Sequence, residues 1–291
     1  MANLGNPKNT IEIIQKYEFM FQKKFGQNFL IDTHVLEKII SAAGITKNDC
    51  VLEIGPGIGT MTQYLAENAG HVVAVEIDRN LIPILKETLA DYDNVTVINE
   101  DILRVDIKAL AEEYNGGKPI KVVANLPYYI TTPIIMGLFE KNVPVDSITV
   151  MVQKEVAQRI CAEPGTAAYS AFSIYVQYHA KAEILFDVPA DCFVPKPKVD
   201  SAVLKLVPLD KPAVETKDEK LFFALVRAAF NMRRKTLVNA LGPVLASAMS
   251  KEEIVALVEA AGLDARIRGE RLSLADYAKL ADLASEKLNK G

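Results

Sequence analysis

The sequence predicts an α/β domain built on a parallel sheet, followed by a small all-α domain. Up to residue 207, short apolar segments alternate with helix-like segments, whereas from residue 217 onward the pattern is only helical. Hydrophobic residues make up 50% of the chain and charged residues 24%, which is typical of a soluble globular protein. We therefore expect a first domain at 1–207 with an N-terminal arm at about 1–33, a linker at 208–216 and a helical domain at 217–291.

Five short apolar runs in the first domain have the length and composition of strands buried on both faces of a sheet. They lie at 51–54, 72–75, 95–98, 120–124 and 148–152. Helix-like stretches near 60–69, 79–90, 106–113 and 132–140 separate them. This alternation predicts parallel strands joined by helical crossovers. Two later strands, at 182–188 and 201–207, are expected to pair antiparallel at one edge.

The helical domain begins after a linker whose two prolines interrupt any regular pattern. Apolar residues then recur at helical spacing in 220–230, 251–261 and 274–288. Ser250 and Glu253 form a capping-box pattern, and Ser273 with Asp276 is a weaker relative of it.

Composition and charge argue against several classes of protein. The three cysteines are far apart, which fits a reducing compartment without a disulfide framework. With no CxxC pair and three scattered histidines, we expect no metal site. No apolar run is long enough to span a membrane and no secretory signal is visible, so we expect a cytoplasmic protein. Because the net charge is −4, binding to nucleic acid would require a local basic patch.

A glycine-rich loop, Glu53-Ile54-Gly55-Pro56-Gly57-Ile58-Gly59, follows the first predicted strand and opens a helix. Glycines here permit a tight turn and close approach of the backbone to a ligand, so Gly55 and Gly57 are candidate cofactor contacts. The spacing differs from the G-x-G-x-x-G of NAD enzymes, and Glu53 would repel a pyrophosphate but attract a cation. Taken alone, the loop is equally compatible with an ordinary strand–helix turn.

Two carboxylates end the next two predicted strands. Glu76 follows Gly55 by about 20 residues, a separation that places a carboxylate against two ribose hydroxyls. Asp101 is a candidate acceptor for an adenine amine. Each alone is compatible with a solvated charge or a helix cap. Together with the glycine loop they predict a site for an adenosine ligand without a phosphate tail, and S-adenosylmethionine fits this description.

The fourth strand ends in Asn125-Leu126-Pro127-Tyr128. The exocyclic amine of adenine is a poor nucleophile because its lone pair is delocalised into the ring. The Asn125 side-chain oxygen and the Leu126 carbonyl can each accept one amine hydrogen, while Pro127 fixes the backbone between them. Tyr128 can stack on the base, which must be unpaired or flipped out to enter such a pocket. The alternative is a proline-containing loop with buried tyrosines.

Phe193 and several basic residues complete the set of candidates. Phe193 precedes a stiff proline-rich segment and is a candidate to stack on the base face opposite Tyr128, with a core aromatic as the alternative. The basic residues that are candidate contacts for nucleic-acid phosphates are Lys196, Lys198, Arg227, Arg233, Arg234 and Lys235. Further basic clusters are Lys23-Lys24 and the arginines 266, 268 and 271, the latter diluted by Glu270. A solvated surface is the alternative for each cluster.

The chain resembles the ribosomal RNA adenine N6,N6-dimethyltransferase family, most closely the bacterial enzymes of the small subunit. The motifs that carry the resemblance, from about residue 22 to about 285, are Gln27-Asn28-Phe29-Leu30, the glycine loop from Glu53, Glu76-Ile77-Asp78, Glu100-Asp101, Asn125-Leu126-Pro127-Tyr128, and Phe193-x-Pro195-x-Pro197-x-Val199-x-Ser201. The resemblance implies a Rossmann-like S-adenosylmethionine-dependent methyltransferase domain followed by a small helical rRNA-binding domain. The cofactor contacts that it implies are Asn28, Leu30, Gly55, Glu76, Asp101 and Asn125.

The resemblance also implies the substrate, a pair of adjacent adenosines in a hairpin loop near the 3′ end of 16S rRNA, within a small ribosomal subunit late in assembly. We expect a monomer. Antibiotic-resistance dimethylases of large-subunit rRNA are one alternative, although they often have isoleucine where this chain has Leu126. DNA adenine methyltransferases typically carry Pro-Pro-Tyr at this motif. A mainly non-catalytic factor for small-subunit assembly is a further alternative.

Overall fold

The computed structural model describes residues 3–22, 26–140 and 143–289, apart from the side chain of Glu140. The chain divides into two compact units, Met1–Ala157 with Ala182–Pro208, and Gln158–Lys181 with Leu209–Gly291. The sequence prediction places 158–181 in the first domain. This segment groups instead with the helical unit, because Tyr169, Ile174 and Tyr178 are buried in the core of that unit.

The first unit contains a mixed sheet of seven strands. The strands are β2 (Cys50–Ile54), β3 (His71–Val75), β4 (Val95–Ile98), β5 (Ile120–Asn125), β6 (Val145–Gln153), β7 (Ala180–Val188) and β9 (Ser201–Pro208). Their order in the sheet is β4-β3-β2-β5-β6-β9-β7. The neighbours from β4 to β6 run parallel and β9 runs antiparallel to β6, which confirms the predicted α/β class. A separate antiparallel pair joins β1 (Phe29–Leu30) to β8 (Phe193–Val194).

Helices flank this sheet. They are α1 (Pro7–Lys16), α2 (Thr33–Ala43), α3 (Thr60–Asn68), α4 (Ile82–Thr88), α5 (Ile107–Asn115), α6 (Thr131–Glu140) and α7 (Lys154–Ile160). The four predicted crossovers correspond to α3 to α6, whereas α1, α2 and α7 were not predicted. Asp32 caps α2 by accepting a hydrogen bond from the backbone of Val35, and Leu36 and Ile39 of this helix are buried in the sheet core.

The N-terminal arm packs as a layer of its own against the glycine loop and α4. Leu4 is buried with Phe29, Ile58, Ile84 and further apolar residues in one cluster. The rings of Phe19 and Phe21 in the arm pack against the ring of Phe29 in tilted arrangements, with centroid distances of 5.9 and 5.3 Å. This packing fixes the position of the arm segment 26–30.

The second unit is helical. Its helices are α8 (Ala171–His179), α9 (Glu219–Asn231), α10 (Leu237–Leu245), α11 (Lys251–Ala260) and α12 (Leu274–Leu288). Both predicted capping boxes form, at Ser250 and at Ser273. The sequence pattern missed α8, which is apolar without a clear period, and α10, which contains Pro243. Within the described parts of the chain, no helix has the length and apolar character needed to cross a membrane.

Candidate active site

An open cavity lies at the carboxyl ends of the parallel strands in the first unit. Its wall is formed by the residues that follow β2, β3, β4 and β5, and by the segment 26–30 of the N-terminal arm. The candidate residues that line it are Asn28, Leu30, Gly55, Gly57, Glu76, Asp101, Asn125, Leu126, Pro127 and Tyr128. The cavity therefore brings together all but one of the predicted cofactor and base contacts.

The glycine loop needs its glycines for two different reasons. Gly55, Gly57 and Gly59 have φ angles of 70°, 62° and 91°, a region that side chains disfavour. A Cβ atom on Gly57 would also lie 2.8 Å from the ring of Phe29, so this glycine lets the N-terminal segment approach the loop. A Cβ atom on Gly55 would meet nothing within 4 Å, and this glycine faces the open cavity.

Glu76 is buried and held by the backbone. Its Oε2 accepts a hydrogen bond from Gly57 N at 3.1 Å, and its Oε1 accepts one from Asp78 N at 2.8 Å. Each oxygen retains a further acceptor direction. Burial is the main reason why the pKa of Glu76 rises to about 7.

Glu53 is the second buried carboxylate of the cavity. It is 2% exposed, and among the described residues its Oε2 has no hydrogen-bond partner. Burial, with a smaller contribution from the charge of Glu76, raises the pKa of Glu53 to about 8. A buried acceptor without a partner is costly, so this position favours a ligand that brings positive charge or hydrogen-bond donors.

Asn125 ends β5 with its amide orientation fixed. Its Nδ2 donates to the carbonyl of Asn28 at 2.9 Å, which leaves its Oδ1 as an acceptor, and Asn125 lines the cavity. The backbone after it is also anchored, since Leu126 N donates to Met151 O at 3.0 Å and the Thr131 hydroxyl donates to Pro127 O at 3.1 Å. The acceptor groups of this motif are thus preorganised.

Tyr128, the last residue of this motif, and Tyr129 both line the cavity. The hydroxyl of Tyr128 shares a hydrogen bond of 2.8 Å with Ser201 Oγ on β9, which positions the ring, and burial raises the pKa of this tyrosine. Tyr129 is 52% exposed, and the sequence predicted no role for it. An aromatic side chain next to a predicted stacking residue was the signal for it.

A series of hydrogen bonds that the sequence did not predict supports Glu76. Gln27 Nε2 donates to Asp78 Oδ2 at 2.7 Å, and the backbone of Asp78 donates in turn to Glu76. Asp78, which links the two hydrogen bonds, is buried and only 3% exposed. Because Gln27 and Asp78 are 51 residues apart, only the fold brings them together.

Phe193 differs from the prediction. It is 2% exposed, pairs with Leu30 across the β1–β8 ladder and belongs to the apolar core of the first unit. Its ring is absent from the cavity wall formed by the described residues. The alternative of a core aromatic is the arrangement that the structure shows, because the short ladder turns this side chain inward.

The predicted basic contacts are mostly exposed. Lys198, Arg227, Arg234 and Lys235 lie on the surface of their units, and Lys196 pairs with Asp191 at 2.5 Å. Arg233 is different, because its guanidinium binds Glu270 and the carbonyl of Ala167. The Lys23-Lys24 cluster lies outside the described residues. Among those residues, no group of three or more histidine, cysteine, aspartate or glutamate side chains is arranged to hold a metal ion.

Comparison with known proteins gives a consistent set of similarities. Residues 18–284 match the family model described as ribosomal RNA adenine dimethylase. A Lachnoclostridium phytofermentans protein named ribosomal RNA small subunit methyltransferase A is 63% identical over 99% of this chain and 100% of its own length. A Clostridioides difficile protein of the same name is 48% identical over 99% of each chain.

Solved structures show the same similarity at the level of the fold. A dimethyladenosine transferase from Plasmodium falciparum superposes with a TM-score of 0.74 at 28% identity, covering 87% of this chain and 95% of its own. The 23S rRNA methyltransferase ErmE superposes with a TM-score of 0.67 at 25% identity, covering 88% of this chain and 99% of its own.

Proposed function

The chain belongs to the ribosomal RNA adenine dimethylase family and is an S-adenosylmethionine-dependent rRNA adenine dimethyltransferase, and we propose that its substrate is the small-subunit rRNA. The proposed targets are the N6 amines of two adjacent adenosines in a hairpin loop near the 3′ end of 16S rRNA, modified late in subunit assembly. The small-subunit assignment is supported by the names of relatives that match nearly the full chain at 48–63% identity.

The residues of the cavity fit S-adenosylmethionine, which supplies an activated methyl group on a positively charged sulfur. We assign Glu76 to the ribose hydroxyls, because both of its oxygens are held in place and keep further acceptor directions. Asp101 lines the cavity beyond Glu76 and is assigned to the adenine amine of the cofactor. The orphaned carboxylate oxygen of Glu53 suits the positively charged part of the molecule.

We assign the orientation of the target amine to Asn125 and Leu126. The Asn125 Oδ1 and the Leu126 carbonyl each accept one hydrogen of the amine, which draws the nitrogen toward tetrahedral geometry and points its lone pair at the methyl group. When bound, S-adenosylmethionine would supply the methyl group with its sulfonium sulfur as the leaving group, while Asn125 and Leu126 would hold the accepting amine in place. The methylated amine is strongly acidic and loses its proton to solvent, so no general base is required. Catalysis then depends mainly on positioning.

Tyr128 is assigned to stacking on the target base, and its bond to Ser201 holds the ring in place. Tyr129 adds an exposed aromatic surface on the same wall. Such surfaces suit a base that is flipped out of a helix or already unpaired in a loop. The exposed side chains of Lys196, Lys198, Arg227, Arg234 and Lys235 are assigned to rRNA phosphates.

The observation that carries this proposal is the fixed amide of Asn125, because the bond to Asn28 O leaves Oδ1 as an acceptor on a residue that lines the cavity. The test is transfer of labelled methyl groups to undermethylated small and large ribosomal subunits, followed by mapping of the modified nucleotides. Dimethylation confined to a small-subunit hairpin is expected. Modification of large-subunit rRNA would favour the resistance-type alternative instead.

The assembly-factor alternative needs a separate measurement. An Asn125→Ala variant that binds small subunits and supports their maturation without methylating them would show that binding contributes independently of catalysis. We also propose that the protein acts as a cytoplasmic monomer without a metal, and the scattered cysteines and histidines support the absence of a metal site. Sedimentation of the purified chain and metal analysis test the last two points.

A further inference from the structure

The carboxylate of Asp78 is buried where the N-terminal arm meets the turn that follows β3. Asp78 is 3% exposed, and its Oδ1 accepts a hydrogen bond from the backbone of Asn80 at 3.0 Å, which closes this turn. Among the described residues, no lysine or arginine side chain pairs with this carboxylate. Its negative charge therefore depends on neutral hydrogen-bond donors, since a buried charge is costly without such partners.

Gln27 supplies the closest of these donors, and its amide has one possible orientation. Its Oε1 accepts a hydrogen bond from the backbone of Gln22 at 2.8 Å, and a backbone N–H can only donate. Its Nε2 therefore faces Asp78 Oδ2, at 2.7 Å. Gln22 Nε2 adds two longer contacts of 3.3 Å to the same carboxylate. The arm thus holds Gln27 in place and directs a neutral donor at a buried charge.

The backbone of Asp78 connects this carboxylate to Glu76. Asp78 N donates to Glu76 Oε1 at 2.8 Å, while Gly57 N donates to Glu76 Oε2 at 3.1 Å. Because the side chain and the N–H of Asp78 belong to one short turn, a displacement of the side chain also turns the N–H away from Glu76. Gln27 lines the cavity as well, but both polar atoms of its amide are engaged by Gln22 and Asp78. Its amide therefore acts through these bonds.

We propose that Gln27 is a positioning residue for cofactor binding, which holds Asp78 so that the backbone of Asp78 keeps Glu76 in the orientation that accepts the ribose hydroxyls. This inference rests on the proposed assignment of Glu76 to the ribose and extends it to a residue of the N-terminal arm. Glutamine suits this role because it supplies a donor without adding charge. A glutamate at the same position would place a second carboxylate against Asp78, and two carboxylates in one site repel each other.

Exchanging the two side chains tests the pair. Gln27→Glu keeps the shape of the side chain, but it should weaken binding of S-adenosylhomocysteine, the cofactor without its methyl group, at least about tenfold. The double variant Gln27→Glu/Asp78→Asn reverses the hydrogen bond, because the new amide donates to the new carboxylate and its oxygen still accepts from Asn80. It should recover affinity to within about threefold of the wild type.

Affinity is measured by calorimetry at pH 8, where Glu76 is mostly ionised, since burial raises its pKa to about 7. Gln15→Glu is the matched control, because Gln15 is an exposed glutamine on α1 of the same arm. The control should bind S-adenosylhomocysteine as tightly as the wild type.

A second ligand separates positioning of Glu76 from general damage to the cavity. The 2′-deoxy analogue of S-adenosylhomocysteine lacks one of the hydroxyls assigned to Glu76, and the wild type should bind it at least about tenfold more weakly. Gln27→Ala should bind S-adenosylhomocysteine about 3- to 10-fold more weakly than the wild type. Its further loss on the change to the deoxy analogue should be less than about threefold, because Glu76 is no longer held against that hydroxyl. This variant tests the proposal even if Gln27→Glu does not fold.

The proposal is overturned if Gln27→Glu binds as tightly as the Gln15→Glu control, or if the double variant binds as weakly as Gln27→Glu. It is also overturned if Gln27→Ala weakens binding of both ligands by the same factor, since Gln27 would then act on the cavity without Glu76.

Glu76→Ala is measured beside these variants. Unchanged affinity in Glu76→Ala contradicts the ribose assignment and this inference with it, whereas a loss in Glu76→Ala with none in Gln27→Ala contradicts this inference alone. These measurements are made without RNA, so their outcome is independent of the proposed rRNA substrate.

Discussion

In the protein without its cofactor, replacing Glu53 with glutamine should raise the free energy of unfolding. This gain should become larger as pH rises. The carboxyl is 2% exposed, and burial raises its pKa to about 8 from the ordinary value of 4.5. A pKa that is higher in the folded state means that the folded protein binds more protons than the unfolded chain. The stability of the wild type therefore falls as pH rises from about 4.5 through 8. Glutamine has nearly the same shape and removes this titration.

The size of the effect follows from the shift. One pKa unit corresponds to about 1.4 kcal/mol. Most of the resulting loss of wild-type stability occurs between pH 5 and pH 8. The difference in unfolding free energy between Glu53→Gln and the wild type should therefore grow by roughly 2–4 kcal/mol over that range. Glu76 titrates in both proteins, so its contribution largely cancels in the difference.

The assay is urea unfolding of both proteins at several pH values, with Glu112→Gln as control because Glu112 is exposed on α5. The control should differ from the wild type by less than about 0.5 kcal/mol at every pH. Calorimetry should show that Glu53→Gln binds S-adenosylmethionine more weakly, since the carboxylate is assigned to its positive charge. A Glu53→Gln variant whose stability difference does not change with pH, or that is less stable than the wild type at pH 8, would refute the reasoning.

Three further predictions concern the same cavity. Glu76→Ala should lose about 1.5–3 kcal/mol of cofactor affinity, or roughly 10- to 150-fold, by calorimetry on folded protein, and unchanged affinity would remove Glu76 from the site. Asn125→Ala should lower the single-turnover rate of methyl transfer at saturating subunit and cofactor, and a full rate would end the amine-orientation mechanism. Tyr128→Phe loses the bond to Ser201, about 0.5–1.5 kcal/mol, but should keep much of the rate, whereas Tyr128→Ala should lose stacking worth about 1–3 kcal/mol. Equal loss in the two tyrosine variants would point to the hydroxyl.

The sequence by itself determined the features that depend on neighbouring residues. Apolar runs and their spacing located the five parallel strands and the crossovers between them, because burial on both faces requires continuous apolar segments. The same order placed Gly55, Glu76 and Asn125 at strand ends, and strand ends of one parallel sheet meet at one edge. The capping boxes at Ser250 and Ser273 were likewise predicted from neighbouring residues.

Only the tertiary structure decided the features that depend on residues far apart in the chain. Phe193 is turned into the core by its pairing with Leu30, and α10 continues through Pro243 because its apolar face is buried in the helical core. Arg233 looked like part of an exposed cluster, yet it pairs with Glu270, 37 residues away. No local pattern encodes such a pair, since the energy of a buried side chain or an ion pair is set by whatever the fold brings beside it.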